Sequence, residues 1–238
     1  MTDSQTLDDT INKAAFRTAI VLILAGLLSA FFPLDAPEGP FADRMQWYST
    51  NVGDFVMGWV VQMIAMLTLS GVFAATAWQT RKWNPLSSFL AGIAVLIATI
   101  AFVIPKFIAI WSIPQMVVAS STVTADVVVA EQLFQLLNPS LSFSLFTSFD
   151  YLGFWMYGVF GLLVARPLLR LTLSAKIAAI SIGLFGLLYH LLFVGVMSGS
   201  VETADIGPYA ETLGMLLLIP VISMAVYFRQ KIKATGKK

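Results

Sequence analysis

Charged residues are so sparse in this 238-residue chain that they leave six long apolar windows with at most one charge each, and this pattern restricts the fold more than any other feature. A helix needs about 20 residues to cross a hydrocarbon layer about 30 Å thick, at about 1.5 Å rise per residue. Windows of that order run over 18–34, 55–80, 83–105, 146–165, 177–199 and 209–228. In lipid each backbone N–H and C=O must be satisfied within its own segment, so these windows read as helices. The expected fold is all-α: one domain over 1–238, a polytopic membrane bundle of six transmembrane helices. Composition agrees, since 11% of the residues are charged, against about 25% in soluble domains.

The net charge of +1 gives no reason to expect a nucleic-acid partner; the placement of the charges is more informative. With the N-terminus inside, twelve of the fourteen Lys and Arg fall on the inner side, leaving only Arg44 and Lys106 outside. The positive-inside rule then predicts both ends in the cytoplasm, and a multi-pass protein of the cell inner membrane. The first window is expected to be retained and not cleaved as a leader. Residues 1–17 carry Asp3, Asp8 and Asp9 against Lys13 and Arg17, and the run ends in Phe31-Phe32-Pro33-Leu34 instead of a small-x-small site.

The stretch 106–149 leaves two alternatives open. One is a long third helix kinked near Pro105, followed by an amphipathic segment over about 122–138 lying at the extracytoplasmic surface. The other is a re-entrant pair, which preserves the same sidedness. Small residues mark helix contacts: Gly153, Gly158, Gly161 and Ala165 in the fourth window, and Ala175, Ala179 and Gly183 in the fifth. Gly195 and Gly199 form a GxxxG pair, which suits either contact within the bundle or a face for a homo-oligomer or another membrane protein.

Polar groups within a bilayer are costly, so each is a candidate for binding or transport. Here they are Gln62, Lys106, Asp150, Tyr157, Tyr189 and His190. At helical rise Gln62 lies about 10 Å below the outer boundary and His190 about 20 Å from the inner one, which places both in the outer half. Lys106 and Asp150 stand at the expected outer ends of the third and fourth helices, where they can pair; alternatively Lys106 snorkels to the headgroups and Asp150 caps its helix. Gln62, Tyr189 and His190 at similar depth suggest a shared pocket opening outward, with contact between helices as the alternative for His190.

Several chemistries are excluded. With no cysteine there are no disulfides, thiolate metal sites or iron–sulfur clusters, and a single histidine rules out bis-histidine haem ligation within the chain. No HExxH, P-loop, GxGxxG or nucleophile elbow occurs, so no metal site and no catalytic set is expected, and the cofactor is left unknown.

Two segments carry a family likeness: Asp126-Val127-Val128-Val129-Ala130-Glu131-Gln132-Leu133-Phe134 leading into Tyr151-Leu152-Gly153-Phe154-Trp155-Met156-Tyr157-Gly158-Val159-Phe160-Gly161, and after an inner turn Ala178-Ala179-Ile180-Ser181-Ile182-Gly183-Leu184-Phe185-Gly186. Over about 55–200 the chain resembles uncharacterised bacterial integral membrane proteins with six hydrophobic segments, a family of unknown function, with the family's usual proline displaced to Pro167. The resemblance implies a six-helix architecture in a bacterial inner membrane and no particular site. The residues themselves point to a non-enzymatic membrane protein, either an accessory or assembly subunit or a binder of an apolar small molecule from the extracytoplasmic side. The alternative is a small transporter or channel that uses Gln62, Asp150 and His190 in an outward-facing polar cavity.

Overall fold

The computed structural model describes residues 3–120 and 126–235. In chain order these form α1 (Asp3–Ser29), α2 (Phe41–Thr80), α3 (Pro85–Ser120), α4 (Asp126–Leu137), α5 (Leu145–Leu168), α6 (Leu173–Met197), α7 (Thr203–Met215) and α8 (Leu218–Thr235). No strand occurs among the described residues. Six stretches are long and apolar enough to cross a membrane: α1, α2, α3, α5, α6, and α7 together with α8. The all-α multi-pass bundle read from the sequence is the observed fold.

Successive spans alternate in direction, as cross-helix bonds show. At one end, which holds the start of α1 and the end of α8, Trp78 Nε1 donates to Asp8 at 2.8 Å and Arg81 pairs with the same carboxylate at 2.5 Å. The Tyr227 hydroxyl donates to Gln79 at 3.2 Å there, and the Ser87 hydroxyl to the Leu163 carbonyl at 2.6 Å. The opposite, distal end is tied by Trp59 Nε1 donating to the Leu34 carbonyl at 3.0 Å, and by the ion pairs Asp35–Arg44 and Lys106–Asp150.

The helices overrun the apolar windows that announce them. α1 begins at Asp3 and not near 18, because its polar first turns are themselves helix-compatible; Lys13 pairs with Asp9 one turn away at 2.6 Å. α2 has 40 residues and α3 has 36, lengths of about 60 and about 54 Å against a layer of about 30 Å. Both therefore project beyond the layer at the distal end. The expected connection over 35–54 is mostly helix, broken at Asn51 (φ −117°, ψ 17°), whose side-chain amide donates to the Trp47 carbonyl at 2.8 Å. α3 runs past the window's end at 105, through Pro105 and Pro114 to Ser120, which is the long third helix of the first alternative for 106–149. Residues 122–125 of the expected surface segment lie outside the described residues; the rest forms α4 and Asn138 after it.

These extensions build a second apolar core at the distal end, separate from the main one. In it Tyr48, Phe55, Trp59, Ile113, Phe134 and Phe146 are buried together, drawn from α2, α3, α4 and α5. The main core joins Phe73, Phe102, Tyr157, Phe160, Phe185 and Phe228 among others.

α5 and α6 meet through a seam of small residues. A Cβ added at Gly186 would stand 2.6 Å from the Gly158 carbonyl oxygen, and one at Gly161 would collide with the Ile182 carbonyl. Without side chains at these positions the two backbones approach closely enough for extensive dispersion contact, the main source of helix association in lipid. Gly195 and Gly199 have a different local use. Gly199 has φ +71°, its N–H donates to the Val196 carbonyl at 3.1 Å, and the Ser200 N–H donates to the Gly195 carbonyl at 2.9 Å. This is a Schellman stop that ends α6, a position where glycine is favoured because it has no Cβ.

The final span, expected as one helix over 209–228, is broken between α7 and α8. Around Leu216 and Leu217 the bonds shorten to the i→i+3 type, Leu216 N–H to Leu213 and Leu217 N–H to Gly214, both at 3.0 Å. Gly214 and Pro220 flank the break. Irregular backbone at membrane depth is tolerated where it is buried in protein or lines a cavity, and here it borders a cavity.

Candidate ligand-binding cavity

Helical spacing aims one face of each surrounding helix at a common space. On α2 these are Trp59, Gln62, Met66 and Leu69; on α5, Phe146, Asp150 and Phe154 recur at intervals of four. α1 contributes Leu22, Gly26 and Ser29, α7 contributes Gly207, Glu211 and Gly214, and α8 adds Leu218 and Val221. The cavity is partly open and its volume is about 860 Å³, within the range of about 300–1,000 Å³ usual for small-molecule sites. The walls are mainly aliphatic and aromatic.

The polar groups on the walls are few. Asp150 forms an ion pair with Lys106, whose side chain is only 5% exposed. The ammonium also lies 5.2 Å from the centroid of Phe102 and 5.7 Å from that of Trp59, so two ring faces assist the carboxylate. Neither residue stands at a helix end. Lys106 lies well inside α3 and turns into the protein instead of snorkelling; α5 is capped by Ser144, which accepts from the Thr147 N–H at 3.1 Å, and not by Asp150. Gln62 lines the cavity and makes no hydrogen bond among the described residues. A free amide on an apolar wall is available to orient a ligand.

A second buried ion pair supports the rim. Asp35 accepts from Arg44 at 2.6 Å, from the Ala36 N–H at 2.9 Å and from the Tyr48 hydroxyl. Arg44 also donates to Asn138 at 3.3 Å and lies 5.0 Å from the Phe134 ring centroid. This node joins the turn after α1, the bent start of α2, α4 and the turn that follows it. Sequence reasoning gives Asp35, Arg44 and Tyr48 no site role, although a signal is present. Arg44 and Lys106 are the two basic residues assigned to the distal end, and each pairs with an acid there.

The remaining expected site residues lie elsewhere. Tyr157 is fully buried in the main core, its hydroxyl 2.7 Å from that of Ser70 and its ring edge-on to Phe73. The Tyr189 hydroxyl donates to the Tyr151 carbonyl at 3.4 Å. His190 does not reach the cavity. It sits on the α5–α6 seam beside Gly158, with Trp155 edge-on at 6.1 Å, and Nδ1 donates to the Gly186 carbonyl at 2.7 Å. The acceptor is a carbonyl, so the proton is on Nδ1. The pocket expected to unite Gln62, Asp150 and His190 thus contains the first two only, because His190 faces α5 across the seam. Glu211, Trp59 and Phe146 take places on the cavity wall that sequence reasoning did not assign.

Among the described residues no three His, Asp or Glu side chains converge to hold a metal ion. Comparison with family models, with curated proteins and with solved structures finds no match for this chain.

Proposed function

We propose that this chain is a non-enzymatic, multi-pass protein of a bacterial inner membrane that takes an apolar small molecule into its distal cavity from the extracytoplasmic side. The observation that carries the reading is the cavity: about 860 Å³, mostly apolar, with polar groups that include Asp35, Gln62, Asp150 and Glu211. That combination characterises small-molecule sites. The twelve-to-two division of basic residues supports placing the terminal end in the cytoplasm. A transporter is the second reading, favoured by the break between α7 and α8 at the cavity wall, since discontinuous helices commonly border substrate sites in transporters.

Gly26 offers a direct test, because it lines the cavity and an added Cβ there meets nothing within 4 Å. Native mass spectrometry of the detergent-purified protein is expected to show a bound apolar molecule that Gly26→Phe displaces, with the bundle still folded. Equal retention by the variant would place the molecule elsewhere and overturn the reading. Uptake of that molecule into proteoliposomes would decide for transport. Single cysteines at Gly39 and Thr235 in this cysteine-free chain test sidedness: an impermeant thiol reagent should label 39 in sealed cells and 235 only after permeabilisation.

A further inference from the structure

We infer that the ligand of the distal cavity is an amphiphilic cation, an apolar body carrying an ammonium group; this rests on the proposed binding role of the cavity and gives it a chemical class. The walls set the apolar part. Leu22, Met66, Leu69, Leu218 and Val221 offer hydrocarbon over one region of the lining, while Trp59, Phe146, Tyr151 and Phe154 supply ring faces and edges over another.

Charge sets the head group. Three carboxylates line the space, those of Asp35, Asp150 and Glu211, and no Lys, Arg or His is among the described residues that do. Arg44 and Lys106 engage Asp35 and Asp150 through one oxygen each, and both bases are themselves buried. The second oxygen of Asp150 makes no hydrogen bond among the described residues; Asp35 Oδ2 also has no partner but is buried away from the space, so a ligand meets Asp150 and Glu211. Glu211 has no ion-pair partner among the described residues. A carboxylate oxygen bordered by hydrocarbon and unmatched by a donor is unfavourable, and an incoming ammonium relieves that while a carboxylate or phosphate adds repulsion. A phospholipid phosphate is therefore a poor occupant.

The protein holds one ammonium of its own in this manner. Lys106 is bound by Asp150 and lies near the rings of Phe102 and Trp59, the same pairing of carboxylate with aromatic faces that the cavity presents to a ligand. Gln62 adds a neutral acceptor at the same wall.

Three photoreactive alkyl diazirines of equal chain length test this, ending in an ammonium, a hydroxyl or a carboxylate. They are applied to the full chain in a neutral maltoside detergent, and adducts are mapped by mass spectrometry. The ammonium probe is expected to label the cavity faces of α1 and α2 about tenfold more than the carboxylate probe, with the alcohol between. Glu211→Gln, an exposed position without an ion-pair partner, should narrow the ammonium-to-alcohol ratio. The doubly neutral variant Lys106→Met with Asp150→Asn should narrow it further. Should that variant fail to fold, the probe series on the native chain and on Glu211→Gln still decides. Equal labelling by all three probes overturns the cationic assignment and leaves the cavity reading standing. Absence of label from the cavity faces with every probe overturns the cavity reading itself.

Discussion

α5 has two unlike sides along its length, one proximal and one distal. Toward α6 it is closed: Gly158, Gly161 and Ala165 meet Gly186, Ile182 and Gly183 with no space for a methyl group at Gly161. On its distal side, further along nearly the same helix face, Phe146, Asp150 and Phe154 border a cavity of about 860 Å³. The closed side uses small residues and backbone contact to set the position of the helix. The open side spends that rigidity on holding a buried charge beside unfilled space. A seam with no slack is what allows the cavity wall to keep its shape, because α5 cannot shift to collapse the void.

The largest expected effect falls on the open side, at Lys106 and Asp150. Asp150→Asn or Lys106→Met alone leaves its partner as an uncompensated charge, and each should cost about 3–5 kcal/mol in detergent unfolding experiments. The doubly neutral variant should recover much of that loss, since neither desolvation penalty is then incurred. Additive losses around the thermodynamic cycle would show that the two do not stabilise one another, and that the open side owes its shape to something else.

A smaller effect sharpens the contrast between the sides through one substitution made twice. Gly161→Ala places a methyl group against the Ile182 carbonyl, and should destabilise by about 1–3 kcal/mol as the seam is forced apart. Gly26→Ala, where nothing lies within 4 Å, should change stability by less than about 0.5 kcal/mol. Thermal unfolding of the two variants in the same detergent gives the comparison. Equal losses would mean that the seam is not the tight side.

The sequence carried the spans and their order because apolar length is a one-dimensional property that needs no partner. It also carried the Lys106–Asp150 pair, since a lone lysine and a lone aspartate near the same boundary have few other ways to offset burial. Direction around a helix axis was harder to read. Tyr189 and His190 are adjacent, yet about 100° of rotation separates them: Tyr189 packs on Phe154 and Phe185, while His190 faces Gly158 and Trp155. Depth alone put His190 level with Gln62, and depth says nothing about facing. The break before α8 had a local signature in Gly214 and Pro220, hidden by an apolar window that continues across it. The Asp35–Arg44 node had none beyond the scarcity of distal bases, because its members come from four separate segments.

The smallest effect decides which side of α5 owns His190. The ring touches the seam, not the cavity; its Nδ1 donates to the carbonyl of Gly186, four residues earlier on its own helix, and so shares an oxygen that already accepts within α6. Replacing it by Phe keeps the aromatic volume against Trp155 and removes only that bond, so His190→Phe should cost about 1 kcal/mol of stability. Ligand retention per folded molecule, read by the same native mass spectrometry, should be unchanged, because no cavity wall is altered. Gln62→Leu is the matched variant on the open side: it should leave stability nearly as it was, since the amide has no partner to lose, and should weaken ligand retention. If His190→Phe lost the ligand at full stability while Gln62→Leu kept it, the functional side of α5 would be the seam, and the division between its two sides would have to be reversed.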